Sequence, residues 1–185
     1  MENFEFIDEI DVSFAIDLVK AYDKKKWIDF DFRQKTYDVH KSTQTIPLIF
    51  DTDFRMTNPT HHPDAVFFED FFSQVSSKFI NYFGEGMILR AILVKLLAKK
   101  NIAPHVDSGM SLTSVCRVHI PVITNDEVYF TVGNETKNLK KGEMWQINNG
   151  KKTHSVENFS DEDRIHFIID WLPKTLILNR QTIFY

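Results

Sequence analysis

Along this chain the spacing of apolar positions changes partway. Ile10, Phe14, Leu18 and Tyr22 fall four apart, with Ala15 and Val19 beside them, which predicts an amphipathic helix over about 8–23 that ends in the polar run Asp23-Lys24-Lys25-Lys26. A second stripe, Phe68, Phe71, Phe72, Val75 and Phe79, predicts a helix over about 64–83, opened by Pro63-Asp64 and stopped by Gly84. Both helices are expected to pack on the outside of a sheet. From residue 86 onward the pattern shortens to runs rich in Val, Ile and aromatic residues: 86–97, 101–107, 115–122, 127–132, 143–148, 152–157 and 164–171. Asn134-Glu135-Thr136-Lys137 and Asn148-Asn149-Gly150 supply turn chemistry between them. The expected fold is mainly β with flanking helices, a β-sandwich or barrel.

The segment from Asp51 to Asp64, with Asn58-Pro59-Thr60-His61-His62-Pro63, is the one long irregular piece. It is a candidate lid or substrate loop, or a surface crossover. No repeat or linker divides the chain, so 1–185 reads as one domain: 1–85 as helices and outer strands, 86–173 as the barrel core.

Composition narrows the setting. A 43% hydrophobic fraction with 17 Phe supplies one core for 185 residues. The net charge of −4 removes the attraction that non-specific nucleic-acid binding needs. Cys116 is the single cysteine, which excludes an intrachain disulfide or a cysteine-rich zinc site and fits a reducing, cytoplasmic setting. Neither a signal-peptide pattern nor an apolar run approaching the ~20 residues of a membrane span occurs, so no membrane association is expected.

Chemistry enters at His105-Val106-Asp107. Side chains alternate along a strand, so 105 and 107 project to one face and one metal can touch both. With His154, at the start of a later strand, they form a two-histidine, one-carboxylate set of the non-haem iron(II) type, which leaves coordination positions open. His-X-Asp alone is a weak signal; its neighbours give it weight. Arg164 begins the otherwise apolar strand Arg164-Ile-His-Phe-Ile-Ile-Asp-Trp171, and a buried arginine needs an anion, which a dicarboxylate offers by bidentate pairing. Arg117 and His119 likewise share a face of another strand. Taken singly, each arginine reads more readily as half of a surface ion pair.

These residues resemble the aspartyl/asparaginyl β-hydroxylases and their relatives among the 2-oxoglutarate-dependent oxygenases. The resemblance runs from about Ile102 to Pro173. It is carried by Ala103-Pro104-His105, Arg117-Val118-His119, Asn134-Glu135-Thr136, Lys141-Gly142-Glu143, His154, and Arg164 leading into Phe167-Ile168-Ile169-Asp170-Trp171-Leu172-Pro173. It implies a double-stranded β-helix of the jelly-roll or cupin-like kind. It also implies that His105 and His154 hold Fe(II), with Asp107 completing the set read above from the residues, that Arg164 pairs with the distal carboxylate of 2-oxoglutarate, and that Arg117 and His119 help hold that cosubstrate. The implied reaction uses O2 to hydroxylate a C–H bond of an amino acid, peptide side chain or related small molecule, with release of succinate and CO2. There is one departure: the best-known protein hydroxylases of the family lack a carboxylate where Asp107 stands, whereas relatives acting on free amino acids carry the complete set. The 108–115 stretch is also longer than in the protein hydroxylases.

The same residues admit two other readings, a non-catalytic cupin-like binding barrel and a zinc-dependent hydrolase. His61 and His62 read as an ordinary surface pair, His166 shares strand parity with Arg164 without an assigned role, and His40 has no motif around it. Trp145 and Asn148 are candidates to border the pocket.

Overall fold

Two antiparallel sheets face each other in the computed structural model, which describes residues 1–176; residues 177–185 of the expected domain lie outside the described residues. Strand β1 (Phe4–Glu9) opens the chain, followed by helices α1 (Ser13–Ala21), α2 (Lys24–Ile28) and α3 (Phe32–Thr36). Strand β2 (Thr43–Ile49), a 3-10 turn over Pro63–Phe68 and helix α4 (Glu69–Phe83) lead into β3 (Gly86–Leu96) and β4 (Asn101–His105). A short helix α5 (Met110–Thr113) precedes β5 (Cys116–Ile123), β6 (Val128–Val132), β7 (Glu135–Lys137), β8 (Glu143–Ile147), β9 (His154–Asn158) and β10 (Arg164–Pro173). The larger sheet runs β1-β8-β5-β10-β3-β2 and the smaller β4-β9-β6-β7, the layout of a double-stranded β-helix. All seven expected strands are present.

The helices cover the outer face of the larger sheet, as the period-four stripes require. Phe71 of α4 stacks on Phe167 of β10 with ring centroids 4.6 Å apart, and Phe68 meets the same ring edge-on at 5.4 Å. Val75 and Phe79 continue the stripe into the core, and Gly84, at φ +81°, ends the helix. The first helix differs from expectation: it spans 13–21 rather than 8–23, because Phe4–Glu9 pairs with β8 at the sheet edge. Its buried positions are Ala15 and Val19, while Phe14 lies at the flank, packing on Phe68 and Phe71.

Between the sheets the filling is divided. One end is apolar: Phe4, Leu96, Ile102, Val128, Phe130, Val132 and Val156 form a cluster. The other end holds charge. Gly142 fastens the β7–β8 connection to β5 and to the residue after β1: its amide donates to Pro121, its carbonyl accepts from Ile10, and a Cβ there would lie 2.6 Å from the Ile10 carbonyl oxygen. At φ +82° only glycine sits there without strain. No described helix is long and apolar enough to cross a membrane.

Candidate functional site

His105 ends β4 and His154 begins β9, and antiparallel pairing sets them directly opposite each other, with ring centroids 4.2 Å apart. Asp107 lies just beyond the strand, which ends at 105 rather than 107. Its position comes from the loop: the Asp107 amide donates to the Asn149 carbonyl at 2.9 Å, and Asn149 Nδ2 donates back to Asp107 Oδ2 at 2.8 Å. His105 Nε2 stands 3.8 Å from Asp107 Oδ1, and one ligand atom from each of His105, Asp107 and His154 falls within 4.8 Å of the others. His105 Nδ1 lies 2.8 Å from the Ala103 carbonyl oxygen, so it carries the proton and leaves the Nε2 lone pair free. Burial lowers the His154 pKa to about 4, which keeps that ring neutral at physiological pH. Burial alone would raise Asp107; the positive charge of Arg117 and the Asn149 hydrogen bond outweigh it and hold the carboxylate ionised.

Arg117 is occupied by the protein's own acids. Its Nη1 donates to Asp107, while Nε and Nη2 donate to the two oxygens of Asp170 at 2.8 and 2.9 Å. The expectation that Arg117 helps hold a cosubstrate therefore meets a guanidinium already paired with two carboxylates, one of them in the metal cluster. Asp170 serves Arg90 as well, at 2.5 Å, and Arg90 reaches Ser111 of α5 through both the hydroxyl and the carbonyl. Burial opposes the charge on Asp170, but Arg117 and Arg90 prevail and lower its pKa to about 2.

Arg164 is different. It is 1% exposed, its Nε has no hydrogen-bond partner, and among the described residues no carboxylate pairs with it. Its Nη2 donates to His166 Nδ1 at 2.5 Å, and burial lowers its pKa to about 9, leaving it charged. Burial, with Arg164 adding to it, holds His119 and His166 well below the usual histidine range, so both are neutral. A narrow pocket walled by Val94, Phe130, Val156 and Ile168 runs from Arg164 to His105, Asp107 and His154. His119 lines it, as expected. At the metal end it meets a wider cavity of about 500 Å³ bounded by α3, Phe50, Phe54, Ile92 and Leu112.

Sequence reasoning missed Arg33, His40, Arg90, Asn149 and Asp170 as site residues. Asp170 and Asn149 were visible only as parts of a motif and a turn. Among the residues held back as uncertain, His166 does point inward and touches Arg164, whereas neither His61 nor His62 lines the cavities. The 51–64 loop contributes Phe54 to the cavity wall, and Asp51 ties its base by accepting from Thr60.

A double-stranded β-helix carrying this donor set beside a buried, unpaired arginine is the arrangement of the 2-oxoglutarate–iron(II) oxygenase class. More particularly, the chain belongs to the aspartyl/asparaginyl β-hydroxylase family, whose family model matches residues 14–173. Among solved structures it is similar to a 2OG-Fe(II) oxygenase family oxidoreductase from Burkholderia pseudomallei, at 16% identity and TM-score 0.58 over 70% of this chain and 66% of that one, just under two thirds of its length. It is also similar to the viral collagen prolyl hydroxylase of Paramecium Bursaria Chlorella virus-1 in its 2OG complex, at 11% identity and TM-score 0.53, covering 92% of this chain and 95% of that one. A Pseudomonas putida prolyl-4-hydroxylase matches at 8% identity and TM-score 0.54 over 94% of both chains. At such identities these likenesses concern the fold. Among curated protein sequences, none matches this chain.

Proposed function

We propose that this chain is an Fe(II)- and 2-oxoglutarate-dependent dioxygenase that hydroxylates a C–H bond of an amino acid, peptide side chain or related small molecule, releasing succinate and CO2. The observation that carries this is the pairing of two ends of one pocket: His105, Asp107 and His154 at its mouth, and at its far end a buried Arg164 without an anionic partner among the described residues. A zinc hydrolase has no use for the second end.

The residues fit both groups. Two imidazoles and one ionised carboxylate suit iron(II), and a dicarboxylate supplies the anion that Arg164 lacks. When bound, the iron and cosubstrate supply the oxidising chemistry; the protein supplies position and shielding. Arg117 and Asn149 hold Asp107 from behind, the Ala103 carbonyl fixes the His105 tautomer, and the apolar wall of Val94, Phe130, Val156 and Ile168 excludes water. His119 sits in that wall as a neutral donor for the cosubstrate.

Anaerobic addition of 2-oxoglutarate to the iron(II)-loaded protein tests the proposal, read as the weak visible charge-transfer band of a chelated 2-oxo acid. The band is expected for the wild type and not for Arg164→Met. Its absence from the wild type at saturating cosubstrate overturns the proposal in favour of a zinc enzyme or a binding barrel.

A further inference from the structure

The wider cavity holds a charge that nothing described in the protein balances. Three guanidinium groups border it, those of Arg33, Arg90 and Arg117, against the two buried carboxylates of Asp107 and Asp170. Arg90 and Arg117 take both carboxylates. The remaining acid in the wall, Asp38, faces solvent with its side chain 91% exposed and pairs with Lys41 at 2.7 Å. Arg33 is therefore left with neutral partners: Thr45 Oγ1 at 3.4 Å and His40 Nε2 at 3.0 Å. It is only 9% exposed, and among the described residues no carboxylate lies within ion-pair distance of it. A buried cation without an anion is costly to keep, and an arginine can be matched by a bidentate carboxylate. Loading the pocket with iron(II) and the 2-oxoglutarate dianion adds no net charge, so the surplus at Arg33 persists in the loaded protein.

The location is specific. Arg33 and His40 border both the wider cavity and the narrow pocket, so they stand at the passage between them. The His40 ring meets the His105 ring edge-on at 5.6 Å, which puts the passage beside the candidate metal ligand. His40 can only accept from Arg33, because a guanidinium has no lone pair to offer; its proton then sits on Nδ1, a buried atom with no partner. Beside the charge, Phe50, Phe54, Ile92 and Leu112 give the cavity an apolar lining.

We infer that Arg33 is the anchor for a carboxylate of the primary substrate, whose apolar body lies against Phe50, Phe54, Ile92 and Leu112 and so presents its own C–H bonds beside His105. The substrate class is a small apolar amino acid or a peptide ending in one, the two sources of the same chemistry. This rests on the oxygenase reading above and gives it a substrate class.

The test uses the protein loaded anaerobically with iron(II) and 2-oxoglutarate, followed by titration calorimetry. The probes are the apolar L-amino acids, each as the free acid, as its C-terminal amide and as the last residue of an N-acetylated dipeptide. At least one free acid, or one dipeptide acid, is expected to bind about 100-fold more tightly than its amide, and which of the two binds identifies the source. Arg33→Gln is expected to abolish that preference and Arg33→Lys to keep part of it, while both retain the charge-transfer band with 2-oxoglutarate. The wild-type comparison stands even where a variant fails to fold. If the band forms but no acid binds, or amides bind as tightly as acids, the anchor is wrong and the oxygenase reading survives. Loss of the band in Arg33→Gln, with the fold intact, also overturns the anchor, by assigning Arg33 to the cosubstrate. If the wild type shows no band, the oxygenase reading falls and the anchor with it.

Discussion

Strand β10 is buried on both faces, and the two faces could hardly differ more. Outward, Ile165, Phe167, Ile169 and Trp171 meet the helices; inward, Arg164, Ile168 and Asp170 line the cavities and His166 bonds to Arg164. The same backbone at the same depth thus carries an apolar ladder and an ionic one. The outer face stabilises the fold by removing apolar area from water. The inner face opposes it, since each buried charge costs desolvation that only a partner repays. Among the described residues Arg90, Arg117 and Asp170 have ionic partners, while Arg33 and Arg164 have only neutral ones, and that imbalance marks where ligands are expected.

The largest effect belongs to the outer face. Phe167→Ala should lower unfolding stability by about 3–5 kcal/mol, measured by chemical denaturation, because the stacked Phe71 and edge-on Phe68 are left facing a cavity. A loss below about 1 kcal/mol would break the contrast between the faces. Next comes Arg164→Met, which should weaken 2-oxoglutarate binding by about 2–5 kcal/mol while leaving metal-free stability equal or higher. Marked destabilisation by that substitution would mean that Arg164 is structural. Asn149→Ala should reduce iron(II) affinity about 10- to 100-fold, read by metal titration, through a looser Asp107.

A further effect is a slope in pH. His119 and His166 have folded pKa values well below 6.5, so the unfolded chain binds more protons as pH falls through 6.5. Their contribution is complete above that value and is lost on acidification, by up to about 1.4 kcal/mol per histidine for each pH unit. Asp170, lowered from 3.8 to about 2, adds a loss in the same direction only below about pH 4. Replacing both histidines by Gln should flatten the curve between pH 7 and 5; an unchanged slope would show that other groups set it.

Where local pattern decides the structure, reading it from residues works. The Phe stripe of α4, the seven strand runs and the meeting of His105, Asp107 and His154 all depend on period or on short motifs. The failures have physical causes. Strand β1 is an edge strand with a register shift near Phe6, so it lacks clean alternation and its end merges into the helical pattern. Strand β2 contains Pro47 and a register shift beside it, both of which weaken a strand signal. Arg33 and His40 reach the site from a segment some seventy positions before His105 with no motif of their own, and only the folded chain brings them there. Arg117 lines both cavities, but its partner Asp170 sat in an apolar run that masked a buried acid.

Asp170 has a further consequence for how such a site can be altered. One carboxylate serves Arg117, which steadies Asp107, and Arg90, which grips Ser111 on the rim helix. The rim is therefore not a detachable module. A transplanted 108–115 segment lacking the Ser111 contacts would strand the Arg90 donors in the barrel wall, so an engineer who wishes to change substrate range must treat Arg90 and that segment as one unit of exchange.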